Sequence, residues 1–92
     1  MGTFMGGSAP AMARQISDGY TLVTAPILKR LDVGQLDQLA FELDKKLRET
    51  RAEPIDLEDQ PGLQTRNRRI SRIDGALRMV RHAIQQKKRG RM

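Results

Sequence analysis

The second half of the chain contains a run of apolar residues spaced alternately three and four positions apart. These residues are Ile70, Ile73, Leu77, Val80 and Ile84. The spacing places about two apolar side chains in every seven on one side of a helix, which is typical of helices that pack lengthwise against a partner helix. It predicts a long helix with one buried seam. Gly75 lies on its outer face, where it costs about 1 kcal/mol of helix propensity relative to alanine.

A second long helix is predicted ahead of this one, beginning at Val33. Asp32 is a good N-cap, and Gln35 stands three residues later, which is the spacing of a capping box. The apolar residues that follow form one stripe, and charged residues occupy the opposite face. The stripe consists of Leu36, Leu39, Ala40, Leu43 and Leu47. Pro54 cannot continue the helical hydrogen bonds, so the helix should end between Thr50 and Glu53.

Two helices joined by a short connection predict an antiparallel αα-hairpin, and the fold class is therefore all-α. A chain of 92 residues has room for one small domain. We assign the hairpin to residues 32–90 and a packing arm to residues 20–31, where β-branched residues precede Pro26. Residues 1–19 contain little that could be buried, and they are predicted to be a disordered tail or a remnant of cloning that stays outside the fold.

Two apolar residues lie off the helical stripes, Phe41 on the first helix and Met79 on the second. A single two-helix hairpin buries little apolar surface, so these side chains should be covered by something else. One interpretation is that the arm covers one of them while a second copy covers the other in a homodimeric four-helix bundle. The other interpretation is a docking patch for a different protein. The sequence leaves both open.

Charge is unevenly distributed along the chain and is the strongest indication of a partner. The net charge is +6, and residues 63–92 contain ten basic residues against one acid, Asp74. Such a helix is expected to contact nucleic-acid phosphates or an acidic protein groove. The candidate nucleic-acid-binding residues are Arg66, Arg68, Arg69, Arg72, Arg78, Arg81, Lys87, Lys88 and Arg89, and Arg91 extends the same basic tail. Recognition of particular bases is not expected, because this helix has no aromatic residue.

The connection between the helices has the opposite character, with four carboxylates in seven residues. Asp56 and Asp59 are the candidate ligands for a Mg²⁺ ion, which prefers oxygen ligands and often takes only one or two carboxylates. The alternative is a solvated acidic loop that supplies the N-cap of the second helix. Beyond this Mg²⁺, no cofactor is expected.

The pattern around this loop resembles the coiled-coil hairpin of the bacterial Gre transcript cleavage factors. In that family an acidic D-L-x-E-N tip is followed by R-I-x-x-[LI]-[DE]-x-x-L on the returning helix. The corresponding tip here is Asp56, Leu57, Glu58, Asp59, Gln60, the return is Arg69, Ile70, Ile73, Asp74, Leu77, and Glu42 with Leu43 resembles the family's upstream E-L. The resemblance implies that the tip would enter the secondary channel of RNA polymerase and offer Asp56 and Asp59 to the catalytic metal. The hairpin is shorter than the family's, and Asp59 and Gln60 replace the family's glutamate and asparagine.

A similar likeness exists to the small helical-hairpin protein beside the exit tunnel of the large ribosomal subunit. That protein also pairs an E-L-rich helix with a returning R-I-x-x-[IV] helix. The resemblance implies a ribosomal partner as an alternative to the polymerase.

Several function classes are disfavoured by composition. The chain has no cysteine and one histidine, His82, and no serine or threonine has a histidine neighbour, so we expect no enzymatic activity and no small-molecule substrate. It has neither a secretory signal pattern nor an apolar run long enough for a membrane span, so we expect a cytoplasmic protein with no membrane partner.

The leading expectation is a non-enzymatic basic helical module that binds RNA or a nucleoprotein machine, either the ribosome or RNA polymerase. The alternative is a homo-oligomeric scaffold or secretion-type chaperone that acts through protein contacts.

Overall fold

The computed structural model describes residues 4–90, and all regular structure within that range is helical. The helices are α1 (Ala9–Asp18), α2 (Ala25–Lys29), α3 (Val33–Ala52) and α4 (Gln60–Lys88). The all-α prediction is confirmed. Within residues 4–90, none of the helices combines the length and the apolar composition that crossing a bilayer requires.

Helix α3 begins and ends where the sequence predicts. The Oδ1 of Asp32 accepts a hydrogen bond from the backbone N–H of Gln35 at 2.8 Å, and the Oε1 of Gln35 accepts one from the N–H of Asp32 at 3.0 Å. The capping box is therefore complete. The helix ends at Ala52, two residues before Pro54.

Helix α4 is 29 residues long and begins at Gln60, ten residues before Ile70, the first residue of its apolar seam. Asp59 is its N-cap, and its Oδ1 accepts a hydrogen bond from the N–H of Gly62 at 3.0 Å. Of the predicted seam, Ile73, Leu77 and Val80 are buried. At 1.5 Å per residue α4 is about 43 Å long, which accounts for most of the 49 Å long axis of the molecule.

The prediction that residues 1–19 stay outside the fold is wrong for Ala9–Asp18, which form helix α1. Met12, Ala13 and Ile16 are buried, at 0%, 3% and 2% exposed. These side chains recur on one face of the helix, and α1 packs with that face against both α3 and α4. Helix α1 therefore covers apolar surface of α3 and α4 that a two-helix hairpin alone would leave exposed, although Phe41 and Met79 stay accessible.

The ends of α1 carry ordinary start and stop signals. The Oγ of Ser8 accepts a hydrogen bond from the N–H of Ala11 at 3.2 Å, and a proline occupies the first turn. Gly19 closes the helix with a φ of +84°, a conformation that favours glycine. A side chain there would also meet Arg72, because a Cβ would lie 2.9 Å from the Arg72 Cζ.

Residues 20–31 pack only partly on the long helices. Val23, Leu28 and Leu31 are buried in the common core, and the short helix α2 packs on α4. Tyr20 and Leu22 point into solvent, at 84% and 81% exposed. The arm therefore contributes to the core and at the same time adds two exposed apolar side chains.

Candidate nucleic-acid interface

The side of α4 that faces away from the core carries a continuous exposed row, which we call the outer stripe. Its members follow each other at alternating spacings of three and four residues, the same periodicity as the buried seam. They are Arg68, Ser71, Gly75, Arg78, His82, Gln85 and Arg89, and all are exposed. No acidic residue belongs to the stripe, so it presents cations and neutral polar groups along most of the helix.

Three of the predicted nucleic-acid-binding residues contact the ends of other helices. Arg72 donates from Nη1 to the carbonyl of Ser17 at 3.2 Å, at the end of α1. Arg66 donates from Nη2 to the carbonyl of Arg51 at 3.1 Å, in the last turn of α3. Lys87 donates from Nζ to the carbonyl of Lys29 at 3.0 Å and to that of Leu31, at and just after the end of α2.

Each of the other helices thus receives one cation from α4 at its carboxyl end. The last carbonyls of a helix have no partner within the helix, and they carry the negative end of its dipole. A lysine or arginine placed there satisfies the carbonyls and interacts favourably with the dipole. We infer that a third of the predicted binding residues serve the fold, although their positive charges remain on the molecule.

Lys87 and its neighbour Lys88 test this assignment as a matched pair. Lys87→Met keeps the length of the side chain but removes its hydrogen bonds, and we expect the free energy of unfolding to fall by about 1–2 kcal/mol. Lys88 is exposed, so Lys88→Met should change stability by less than about 0.5 kcal/mol. Urea denaturation of both variants measures the difference. Equal stabilities would show that the carbonyls at the end of α2 do not depend on the ammonium group.

Three further arginines form ion pairs. The Arg78 Nη2 lies 2.6 Å from the Asp74 Oδ2, one turn away on α4. The Arg69 Nε is 3.9 Å from a carboxylate oxygen of Asp18. Arg81 lies at the same distance from a carboxylate oxygen of α3. Exposed pairs of this kind contribute at most about 1 kcal/mol each, and these side chains can reorient towards a stronger anion.

The remaining three predicted residues, Arg68, Lys88 and Arg89, are the cations most available for a partner. All three are exposed, and in the described part of the chain their side chains make no hydrogen bond or ion pair. Arg68 and Arg89 mark the two ends of the outer stripe, about 32 Å apart along the helix axis. Arg91 lies outside the described residues.

The two predicted metal ligands lie in the 53–59 loop, and each accepts a backbone hydrogen bond. The Oδ1 of Asp56 accepts from the N–H of Glu58 at 3.0 Å, and Asp59 caps α4. Between residues 4 and 90, no group of three histidine, cysteine, aspartate or glutamate side chains is arranged to hold a metal ion. The structure thus gives both carboxylates a local role in the turn, and a Mg²⁺ ion at this loop stays a prediction.

The two predicted protein-interface residues lie in different surroundings, and both remain accessible. Phe41 is 60% exposed on α3, beside the start of α1. Met79 is 41% exposed on α4 and lines a groove together with Leu22 of the arm. Sequence reasoning missed Leu22 as a surface residue, because a β-branched and aliphatic run before a proline resembles a buried segment. Leu22 lies on the surface because of the path that the chain takes after Gly19, which the sequence pattern does not reveal.

No protein-family model, no curated protein and no solved structure matches this chain.

Proposed function

We propose that the protein is a non-enzymatic helical interaction module that binds RNA or a ribonucleoprotein through the outer stripe and basic end of α4, in an accessory or regulatory role. The observation that carries the proposal is the exposed row from Arg68 to Arg89, which contains no acid. Phosphate groups along a nucleic-acid backbone suit such a row, because they repeat at regular intervals and are read without base-specific contacts.

The internal contacts of α4 limit which of its cations would contact phosphate directly. The cations that donate hydrogen bonds to backbone carbonyls are held in place by the fold. A carbonyl does not neutralise a cation, so these side chains still add to the positive electrostatic potential around the helix. Arg68, Lys88 and Arg89 would make the direct phosphate contacts. Arg78 would add a fourth by exchanging its carboxylate partner for a phosphate.

Titration of a labelled single-stranded oligouridine at several salt concentrations tests the proposal. With four direct phosphate contacts on a single strand, affinity should fall about 50-fold between about 50 and 200 mM monovalent salt. A polyglutamate peptide of similar charge serves as the comparison. Salt-independent binding would contradict the electrostatic premise, and tighter binding of the peptide would assign the stripe to an acidic protein.

Binding to the ribosome or to free RNA would require only the cations of α4 described above. The polymerase partner that the Gre-like pattern implies would require α3, the 53–59 loop and α4 to act as an antiparallel hairpin that delivers Asp56 and Asp59 to a metal. Both carboxylates already hold the loop and cap α4. We therefore favour phosphate binding by α4 over metal delivery by the loop.

A second candidate function is a homo-oligomeric scaffold. It is favoured by Leu22 and Met79, two exposed apolar side chains that line the same groove. Scattered apolar residues are ordinary on a protein surface, but clustered ones mark protein contacts. A tight dimer without affinity for RNA would favour this function.

A further inference from the structure

Two apolar grooves lie on α4, and Met79 lines both of them. The first, of about 320 Å³, runs between α4 and the residues after α1, and Leu22, Gly75 and Ala76 line it. The second, of about 260 Å³, runs between α4 and α2, and Leu28 and Ala83 line it. We call the two grooves and Met79 together the Met79 surface.

Basic side chains and no carboxylates line the Met79 surface. Arg72 lines the first groove, and Arg78 and His82 line the second. The surface therefore suits an occupant that combines apolar side chains with negative charge.

Gly75 gives the first groove an open floor. It lies in the middle of a long helix, where glycine is less favourable than alanine, and a Cβ at this position would meet nothing within 4 Å. Packing within one copy therefore does not require a glycine here. Its absent side chain lets the backbone or a large side chain of another segment approach α4 closely.

The 53–59 loop has the complementary composition. Ile55 and Leu57 are 54% and 76% exposed, so both apolar side chains are displayed to solvent. Carboxylates stand between and around them, at Glu53, Asp56, Glu58 and Asp59. The loop thus offers two exposed apolar side chains with carboxylates between and around them. The Met79 surface offers two apolar grooves lined in part by basic side chains, so the two are complementary.

We propose that the Met79 surface binds the 53–59 loop of a second copy of this chain. The loop precedes α4, and Met79 lies about 28 Å further along that helix. The loop of one copy cannot reach its own Met79 without unfolding the helix between them. Two copies placed antiparallel can exchange loops reciprocally, which closes a symmetric dimer and leaves no contact unsatisfied. This inference goes beyond the proposed RNA binding and rests on different observations, although Ser71, Gly75, Arg78 and His82 belong to both surfaces.

Sedimentation velocity of the full chain over about 1–200 µM tests the proposal, and the wild type should show a reversible dimer. Leu57 is exposed in one copy, so Leu57→Ser should leave the fold intact while weakening the dimer about 10- to 100-fold. Gly75→Glu should weaken it as strongly, because it places a side chain and a negative charge in the groove. Mixing the two variants should give a heterodimer that is tighter than either variant homodimer and weaker than the wild type, because it keeps one of the two loop–groove contacts intact.

Two control variants keep the test decisive. Gly75→Ala should raise the melting temperature through helix propensity, which shows that this position tolerates a side chain in the single copy. Phe41→Ser removes an exposed apolar residue that lines neither groove of the Met79 surface and should leave dimerisation unchanged. A wild type that stays monomeric throughout the range would overturn the proposal. Dimers that survive Leu57→Ser and Gly75→Glu, or that are lost with Phe41→Ser instead, would overturn it as well.

Discussion

Replacing Ile16 with alanine should lower the free energy of unfolding by about 2–4 kcal/mol, because the truncation leaves a cavity where α1 meets the long helices. Ile16 is 2% exposed and belongs to the common apolar core. A small domain has a total stability of only about 5–15 kcal/mol. The loss should therefore lower the urea midpoint of unfolding substantially. It should also raise the fraction of unfolded molecules at 37 °C.

Arg14→Ala is the matched control on the same helix. Arg14 is exposed, and its replacement should change stability by no more than about 0.5 kcal/mol. Urea denaturation followed by far-ultraviolet circular dichroism measures both variants. If Ile16→Ala were as stable as the wild type, residues 9–18 would lie outside the cooperative fold.

The two long helices could be predicted because their signals are local and agree with one another. Asp32 and Gln35 cap α3 as a pair, Pro54 stops it, and Ile73, Leu77 and Val80 repeat at the period of a packed helix. Each signal acts over a few residues and needs no knowledge of the rest of the fold. The structure places the boundaries of α3 within the predicted limits.

Helix α1 was missed although its start and stop signals are present in the sequence. Ser8 precedes a proline in the first turn, Met12 and Ile16 are four residues apart, and Gly19 terminates the helix. The uncharged, glycine-containing beginning of the chain outweighed these signals in the prediction. The cause is physical, because a ten-residue helix is marginal alone and is stabilised here by packing on α3 and α4.

The division of labour among the basic residues of α4 could not be predicted from the sequence. Arg66, Arg68 and Arg69 are nearly adjacent, yet Arg66 reaches a carbonyl of α3 and Arg69 approaches Asp18, while Arg68 faces solvent. These partners are 15 and 51 positions away in the chain. Only the tertiary arrangement determines which cations make internal hydrogen bonds or ion pairs and which remain available to a partner.

Removing the three cations without internal contacts should abolish most of the RNA affinity. In the variant Arg68→Gln, Lys88→Gln, Arg89→Gln we expect affinity for single-stranded RNA to fall at least about tenfold at 50 mM salt, because each lost phosphate contact also reduces counterion release. The fold should be unaffected, since all three side chains are exposed. Circular dichroism and urea denaturation of this variant should match the wild type.

The control is a second triple variant with the same net charge. Arg14→Gln, Lys45→Gln, Arg51→Gln removes three exposed basic side chains from α1 and α3. If RNA binding followed only the overall charge of the molecule, the two triple variants would weaken it equally. If α4 makes the contacts, the control should retain nearly all of the affinity at moderate salt.

The salt dependence of RNA affinity, measured side by side for the wild type and both triple variants, shows whether the exposed cations of α4 bind RNA. We predict that the slope of log affinity against log salt becomes shallower by about 2 for the α4 variant, as expected for three lost contacts on a single strand, and stays near the wild-type value for the control. Equal slopes for the two triple variants would contradict the assignment of RNA binding to the exposed cations of α4.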